Sequence, residues 1–248
     1  MGKIIAIGGG EIGRPGTKIE TFLIDKEIIK QTGKKNPKLL FIPTASSESE
    51  SYYAVVKKYF TDKHNCKVDV LYLLKEKYSE KELRDKILAT DIVYVGGGNT
   101  KKMLSVWRKL GVDRILKEAY DKGIVLSGLS AGAICWFTYG NSDSLSFADK
   151  KASMIKVKGL GLVDALFCPH YDVEKKRKPE LKKMMETTAG IALALENCTA
   201  IEIIDDTFRI LSSKKGAKAY KTYWLKGKYV EEIIPVSKKF KELAHAHS

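Results

Sequence analysis

Long hydrophobic runs are missing from this 248-residue sequence. No apolar stretch approaches the ~20 residues that a transmembrane helix requires, so a membrane-spanning protein is not expected. The apolar part of the amino terminus, MGKIIAIGGG, is too short for a signal peptide and is typical of a first β-strand.

Cysteine is scarce and unpaired. The four cysteines, Cys66, Cys135, Cys168 and Cys198, lie far apart and form no CxxC pair. This spacing excludes a disulfide scaffold and argues against a structural zinc site. We expect buried free thiols in a reducing compartment, and therefore a cytoplasmic protein without a bound metal.

Arginine is also rare, although the chain is strongly basic. There are 44 Lys and Arg residues against 30 Asp and Glu residues, a formal net charge of +14, yet only six of the 44 are Arg. Proteins that read nucleic acids usually concentrate their charge and favour Arg. The lysines here are spread along the chain, and the densest basic run, residues 175–178, is short. We therefore expect a solvated lysine-rich surface and no nucleic-acid or membrane partner.

Short apolar segments alternate with helical patterns in the first half of the chain. The predicted strands are Lys3–Ile7, Lys38–Ile42, Val68–Leu74, Ile92–Val95 and Ile124–Leu126. Predicted helices cover Ser51–His64, a segment with a capping box at Ser79 and Glu82, and Thr100–Lys122 with a break at Gly111. Repeated β-α-β units predict an α/β fold, a three-layer sandwich with a mainly parallel sheet.

The pattern changes after about residue 190. Four predicted strands, Ala200–Ile204, Phe208–Ser212, Ala219–Trp224 and Tyr229–Ile233, are separated by hairpin-like turns. The sheet is therefore expected to finish with antiparallel strands. No low-complexity linker interrupts the chain, so residues 1–248 are interpreted as one domain.

Two glycine-rich loops follow strands. Residues 8–13 match the dinucleotide-binding pattern GxGxxG, but no helix opens after them and no ribose-binding acid follows the second strand, so we interpret them as a tight turn near a site. In the second loop, Gly96–Thr100, a helix does open. Backbone N–H groups in such a loop can stabilise an oxyanion.

The most specific motif is Gly128–Ala133, with the sequence GLSAGA, directly after the fifth strand. This is G-x-S-x-G between a strand and a helical run at Ala133–Phe137, and it predicts Ser130 as an exposed nucleophile. The Ala131 N–H would then point at a developing oxyanion.

A serine nucleophile needs a base, which is usually histidine. His245 and His247 lie in a polar tail and His64 in a surface turn, whereas His170 ends an apolar run at a sheet edge. His170 is therefore the predicted base. Two carboxylates, Glu196 and Asp143, are candidates for the group that orients the imidazole, and the residue pattern alone does not choose between them.

These motifs, together with KGLGLVDA at 158–165 and PHYD at 169–172, resemble peptidase E, the aspartyl dipeptidases, with cyanophycinases as relatives. The resemblance implies a fold like that of class I glutamine amidotransferases, with Ser130 as nucleophile, His170 as base and Glu196 as the orienting acid. Some descriptions of the family give that last role to an acid at the place of Asp143. Gly98 would join Ala131 in the oxyanion hole.

The resemblance also bears on the substrate. Relatives that prefer an N-terminal Asp carry a longer loop after the histidine, with a basic residue that binds the acidic side chain. Here Tyr171–Glu180 is short, and Arg177 is the candidate for that contact, beside Gly97 and Asn99 of the glycine loop.

The sequence thus predicts a cytoplasmic serine peptidase for short peptides, and the resemblance extends this to peptides with an acidic N-terminal residue. No cofactor is expected, and a homodimer is the candidate assembly. Two alternatives are an α/β-hydrolase-type esterase, which shares G-x-S-x-G, and a non-catalytic module that binds anions through the +14 charge.

Overall fold

The computed structural model describes residues 1–242. The strands are β1 (Lys3–Ile7), β2 (Lys38–Ile42), β3 (Lys67–Val70), β4 (Ile92–Val95), β5 (Val125–Leu129), β6 (Phe137–Ser142), β7 (Ile155–Lys158), β8 (Val163–Cys168), β9 (Ala192–Leu195), β10 (Thr199–Ile204), β11 (Thr207–Ser212), β12 (Ala219–Leu225), β13 (Lys228–Ile234) and β14 (Lys241–Glu242). The helices are α1 (Phe22–Lys30), α2 (Glu50–His64), α3 (Glu80–Leu88), α4 (Thr100–Leu110), α5 (Val112–Asp121), α6 (Ala131–Ile134) and α7 (Arg177–Met185). His245 and His247 lie outside the described residues.

The larger sheet has the strand order β14-β11-β10-β1-β5-β4-β2-β3. Strands β1 to β5 run parallel to their neighbours among themselves, while β10 pairs antiparallel with both β1 and β11. The predicted α/β class and the antiparallel strands near the carboxyl end are confirmed. Because the carboxyl ends of β1, β4 and β5 meet at one edge, the loops after them share a single space.

The prediction of one sheet is incomplete, because six strands form a second sheet in the order β13-β12-β9-β8-β6-β7. Strands β6, β8 and β9 are parallel in it, and β7, β12 and β13 are antiparallel to their neighbours. The predicted strands after residue 190 therefore divide between the two sheets. The helix predicted at 133–137 is wrong beyond its first residues. Helix α6 ends at Ile134, and strand β6 begins at Phe137.

Three apolar clusters hold these layers together. One lies on the face of the larger sheet that carries Ile5 and Phe41 and packs against α1 and α2. A second joins the opposite face to α4, α5, α6 and the second sheet. A third covers the outer face of the second sheet with Leu181 and Met185 of α7. Burial of these side chains supplies the main favourable free energy of folding.

Local signals in the sequence also have structural counterparts. The capping box of α3 is formed by Ser79 and Glu82, as predicted. Gly111 separates α4 from α5 in a left-handed conformation with φ of +74°, which glycine adopts without the usual steric cost. No helix within residues 1–242 is both long enough and apolar enough to cross a bilayer.

Candidate active site

The carboxyl end of β1 connects the three segments that form the site. The Ser130 N–H donates to the Ile7 carbonyl at 3.2 Å, and the His170 N–H donates to the Gly8 carbonyl at 2.9 Å. The Cys198 N–H donates to the Gly9 carbonyl at 2.8 Å. The glycine turn after β1 thus fixes the backbones that carry the serine, the histidine and the segment after β9.

Ser130 occupies a strained turn between β5 and α6, with φ of +54° and ψ of −113°. Small neighbours make this turn sterically possible. A Cβ atom at Gly132 would lie 2.1 Å from the Val95 carbonyl oxygen, and one at Gly128 would lie 2.5 Å from the same atom. The predicted strand–turn–helix context of the G-x-S-x-G motif is therefore present, and it lifts the Ser130 hydroxyl into the cavity.

A chain of hydrogen bonds links Ser130, His170 and Asn197. The Ser130 Oγ lies 2.9 Å from His170 Nε2, and His170 Nδ1 lies 2.8 Å from Asn197 Oδ1. An amide oxygen can only accept, so we assign the imidazole proton to Nδ1. Nε2 then presents its lone pair to the serine hydroxyl, which is the geometry of a nucleophile and its base.

Two further contacts support this chain. Gly9 lies against the pair of His170 and Asn197, where a Cβ atom would approach Asn197 Oδ1 to 2.1 Å and His170 Nδ1 to 2.5 Å. The backbone N–H of Asn197 donates to Asp172 Oδ1 at 2.9 Å. The Asp of the PHYD motif thus holds the Asn197 backbone in place.

Glu196 does not contact the imidazole in this structure. Its Oε2 accepts the Lys218 backbone N–H at 2.8 Å, and its Oε1 accepts the Tyr220 hydroxyl at 2.9 Å. Both partners belong to the edge of β12 or the turn before it, on the far side of β9. The expectation that Glu196 orients His170 is therefore not supported, because both carboxylate oxygens bind other groups and His170 Nδ1 contacts Asn197 instead.

Asp143 and Arg177 pair with each other and are also removed from the imidazole and the cavity. The Arg177 side chain is 1% exposed and lies 3.9 Å from Asp143 Oδ1. Its Nε donates to Glu174 at 2.7 Å, and its Nη1 donates to the Asn141 side chain at 2.9 Å. Neither the orienting role expected of Asp143 nor the substrate contact expected of Arg177 fits this position. Arg177 instead ties the start of α7 to the end of β6.

We therefore expect Arg177→Gln to lower stability rather than to change substrate preference. The shorter side chain leaves Glu174 and Asn141 without their buried donor, at a cost of about 2–3 kcal/mol, or a decrease in Tm of about 5–10 °C. Thermal unfolding of the variant measures this, with Lys175→Gln as the exposed control. A stable variant that loses only its activity on acidic peptides would contradict the assignment.

Two backbone amides, one in each loop next to the cavity, are candidate oxyanion donors. The N–H groups of Gly98 and Ala131 have no intramolecular acceptor within residues 1–242. The Gly97 N–H donates to the Tyr52 hydroxyl at 3.4 Å, and burial raises the pKa of Tyr52 to about 12, so the phenol stays protonated. Asn99 caps α4 and donates to the Ser144 carbonyl, so the expected substrate contact of its side chain is not supported.

A cavity of about 560 Å³ opens above Ser130 and His170. The charged side chains in its wall are Glu11, Arg14 and Glu20, all from the segment between β1 and α1. Arg14 is bound by Glu11, with 2.7 Å between Nε and Oε2. Glu20 accepts the Glu11 backbone N–H through Oε2, and its carboxylate forms no ion pair in the described part of the chain. The basic run 175–178 does not line the cavity.

Comparison with known proteins gives the same interpretation of the motifs. The model of Peptidase family S51 matches residues 4–211. The chain belongs to peptidase family S51. The matched range covers both glycine loops and all three hydrogen-bonded side chains of the site, so the resemblance predicted from the sequence is confirmed.

Individual peptidases are similar to this chain over most of their length. An uncharacterized peptidase of Bacillus subtilis (strain 168), YgaJ, is 33% identical over 238 residues, covering 95% of this chain and 98% of its own. An uncharacterized peptidase of Pasteurella multocida (strain Pm70) is 29% identical over 193 residues, covering 73% and 88%. The crystal structure of a peptidase from an acI-B1 Actinobacterium has the same fold, with a TM-score of 0.74 at 20% identity and coverage of 97% and 96%. Family membership supports a peptidase.

Sequence reasoning missed three features of this family S51 site. Asn197 is one, because a carboxylate is the usual partner of a catalytic histidine and Glu196 stands directly before this asparagine. The charged wall of Glu11, Arg14 and Glu20 is another, because the interpretation of residues 8–13 as a tight turn near a site assigns no role to these side chains. Tyr52 is the third, since nothing in the sequence separates it from the other aromatic residues of the predicted helix Ser51–His64.

Proposed function

We propose that this family S51 member is a serine peptidase that hydrolyses short peptides through Ser130, His170 and Asn197. The observation that carries the proposal is the chain of hydrogen bonds of 2.9 and 2.8 Å at the mouth of the cavity. A serine without a catalytic role needs neither a strained turn nor a histidine held beside it in a fixed orientation, whereas a nucleophile requires both.

The reaction follows from this geometry. Ser130 Oγ attacks the scissile carbonyl carbon as His170 Nε2 takes the hydroxyl proton. The N–H groups of Gly98 and Ala131 donate to the oxyanion that forms. When the C–N bond breaks, His170 gives the proton to the leaving amine, and water then hydrolyses the acyl-enzyme with His170 again acting as the base.

Asn197 acts as a positioning residue in this scheme. Its Oδ1 accepts the Nδ1 proton and so holds the tautomer in which Nε2 can act as a base. An amide carries no charge, so it stabilises the protonated imidazole less than a carboxylate does. An asparagine in this place is compatible with peptide hydrolysis, since papain-like proteases use a Cys-His-Asn arrangement.

The cavity wall favours a peptide with a free amino terminus. A volume of about 560 Å³ suits a small peptide rather than a folded protein segment. Arg14 is already neutralised by Glu11, which leaves the Glu20 carboxylate as the charge available to an ammonium group. An acidic substrate side chain would have to compete with Glu11 for Arg14. We therefore propose that the site recognises the free ammonium group of the peptide and not an acidic side chain.

The test compares free and N-acetylated forms of the same dipeptides and tripeptides. We expect hydrolysis of the free forms, with kcat/KM lowered about tenfold or more by acetylation, as expected for loss of a charge-assisted hydrogen bond. In Glu20→Gln the ratio of kcat/KM for the free form to kcat/KM for the acetylated form should shrink, while activity on the acetylated form stays close to wild type. Glu180→Gln, a substitution outside the cavity, is the control. Absence of hydrolysis for every peptide would refute the proposed function, and equal rates for both forms would refute the role of Glu20.

A further inference from the structure

A second cavity of about 390 Å³ lies next to the one that contains Ser130. It runs between the segment after β1 and the exposed side of α2. We call it the apolar groove and define it by Ile12, Pro15 and Ile19 on one side and by Ala54 and Val55 on the other.

The two cavities adjoin. Ile12, Pro15 and Val55 line both the apolar groove and the cavity above Ser130. Residues of the turn after β1 therefore line both cavities. The three shared side chains lie between the groove and a ligand in the first cavity. The groove contains neither the nucleophile nor the amide donors, so it can hold part of a substrate without taking part in the reaction.

The groove offers apolar surface, and two of the three charged side chains that line it pair with each other, while the third, Lys63, is exposed. Ile12 and Ile19 form an isolated antiparallel bridge that closes the turn, and Ile19 remains 39% exposed. At the rim, Lys58 and Asp62 of α2 lie 2.8 Å apart and neutralise each other. A charged ligand gains little from this rim, whereas an apolar side chain removes Ile19 and Ala54 from water.

We propose that the apolar groove is a subsite for a large apolar side chain of the peptide substrate, such as Leu or Phe. The proposal rests on the proposed peptidase function for the identity of the ligand. The observation that supports the proposal is the set of three side chains that line both spaces, because they place the groove directly beside the catalytic cavity. Substrate selection then combines an ammonium contact at Glu20 with apolar burial beyond Ile12.

The experiment measures peptide binding and hydrolysis separately. Tripeptides with Ala, Leu or Phe at each position in turn are titrated into the Ser130→Ala protein and are assayed as substrates of the wild type. We expect Leu or Phe to be preferred over Ala by about tenfold at one position, in Kd and in kcat/KM, since three or more buried carbons distinguish the side chains. Ala54→Glu and Ile19→Ser should remove this preference and leave the Ala peptides within about twofold of wild type.

Leu23→Ser is the matched control, since Leu23 is 57% exposed on α1 and does not line the groove. Equal binding of Ala, Leu and Phe peptides at every position would overturn the subsite. A preference that survives both groove variants would also overturn it, as would groove variants that change only the oligomeric state, which would make the groove an interface between two copies. Tight, Leu-selective binding without hydrolysis would instead retain the subsite and refute the peptidase.

Discussion

Replacing Ser130 by alanine is expected to lower kcat by about 10³-fold or more without preventing folding. The hydroxyl is the proposed nucleophile, so its removal leaves only the contribution of binding and of the amide donors. The side chain has one hydrogen-bond partner, His170, within the described residues. Alanine also keeps the same Cβ atom at φ of +54°, so the turn is no more strained than before.

Activity and labelling test this together. Steady-state kinetics give kcat, thermal unfolding verifies the fold, and a serine-directed organophosphorus reagent should modify the wild type once, at Ser130. Ser105→Ala, which changes an exposed serine of α4, controls for nonspecific effects and should retain both activity and label. Hydrolysis at the wild-type rate by Ser130→Ala would exclude the serine mechanism.

The larger sheet could be predicted from the sequence because its strands are local signals. The central ones are short apolar runs with a glycine after them, as at Lys3–Ile7 and Ile92–Val95, whereas the two-residue edge strand β14 carries no such signal. The second sheet could not be predicted in the same way. The run after Ser130 is too short for its periodicity to separate helix from strand, and pairing of β6 with β7 and β8 decides the outcome.

In the site, too, some features follow from residues adjacent in the sequence, and others depend on contacts between segments that are far apart in the chain. The setting of Ser130 depends on adjacent residues, and His170 could be selected because it alone follows an apolar run at a sheet edge. The choice between Glu196 and Asn197 depends on how the chain turns after β9, since both residues follow the end of that strand. Ala192 and Ala194 pack toward α7, while Leu193 and Leu195 pack into the core between the sheets. Asn197, however, lies in the turn after β9, beyond the last strand residue Leu195, so this alternation does not fix where its side chain points.

Arg177 illustrates a further limit. In the sequence it belongs to a run of basic residues at 175–178 that is typical of a solvated loop. The structure buries this one side chain against Asn141, which is 36 positions earlier in the chain. Burial of a single member of a charged run is set by tertiary packing, so no local pattern could separate Arg177 from its lysine neighbours.

Replacing Asn197 separates the orienting role from the nearby carboxylate. Asn197→Ala is expected to lower kcat by about 10²- to 10³-fold with little change in KM, because the imidazole loses the acceptor that selects its tautomer. Asn197→Asp keeps an oxygen in the same place and adds a negative charge. It should retain activity within about tenfold of wild type. Because a carboxylate stabilises the protonated imidazole, and the base must be unprotonated, the acidic limb of kcat/KM against pH should move to higher pH.

The matched control is Glu196→Gln. It replaces a carboxylate by an amide at the adjacent residue, whereas Asn197→Asp replaces an amide by a carboxylate. Its carboxylate binds Lys218 N–H and the Tyr220 hydroxyl, so we expect a modest loss of stability and a kcat within about threefold of wild type. The pH profile separates orientation from structural support, since a purely structural role for residue 197 would leave the acidic limb in place in Asn197→Asp. A loss of kcat of about 10²-fold in Glu196→Gln, beside a near-normal Asn197→Ala, would return the orienting role to the acid and require a rearranged β9 edge during the reaction.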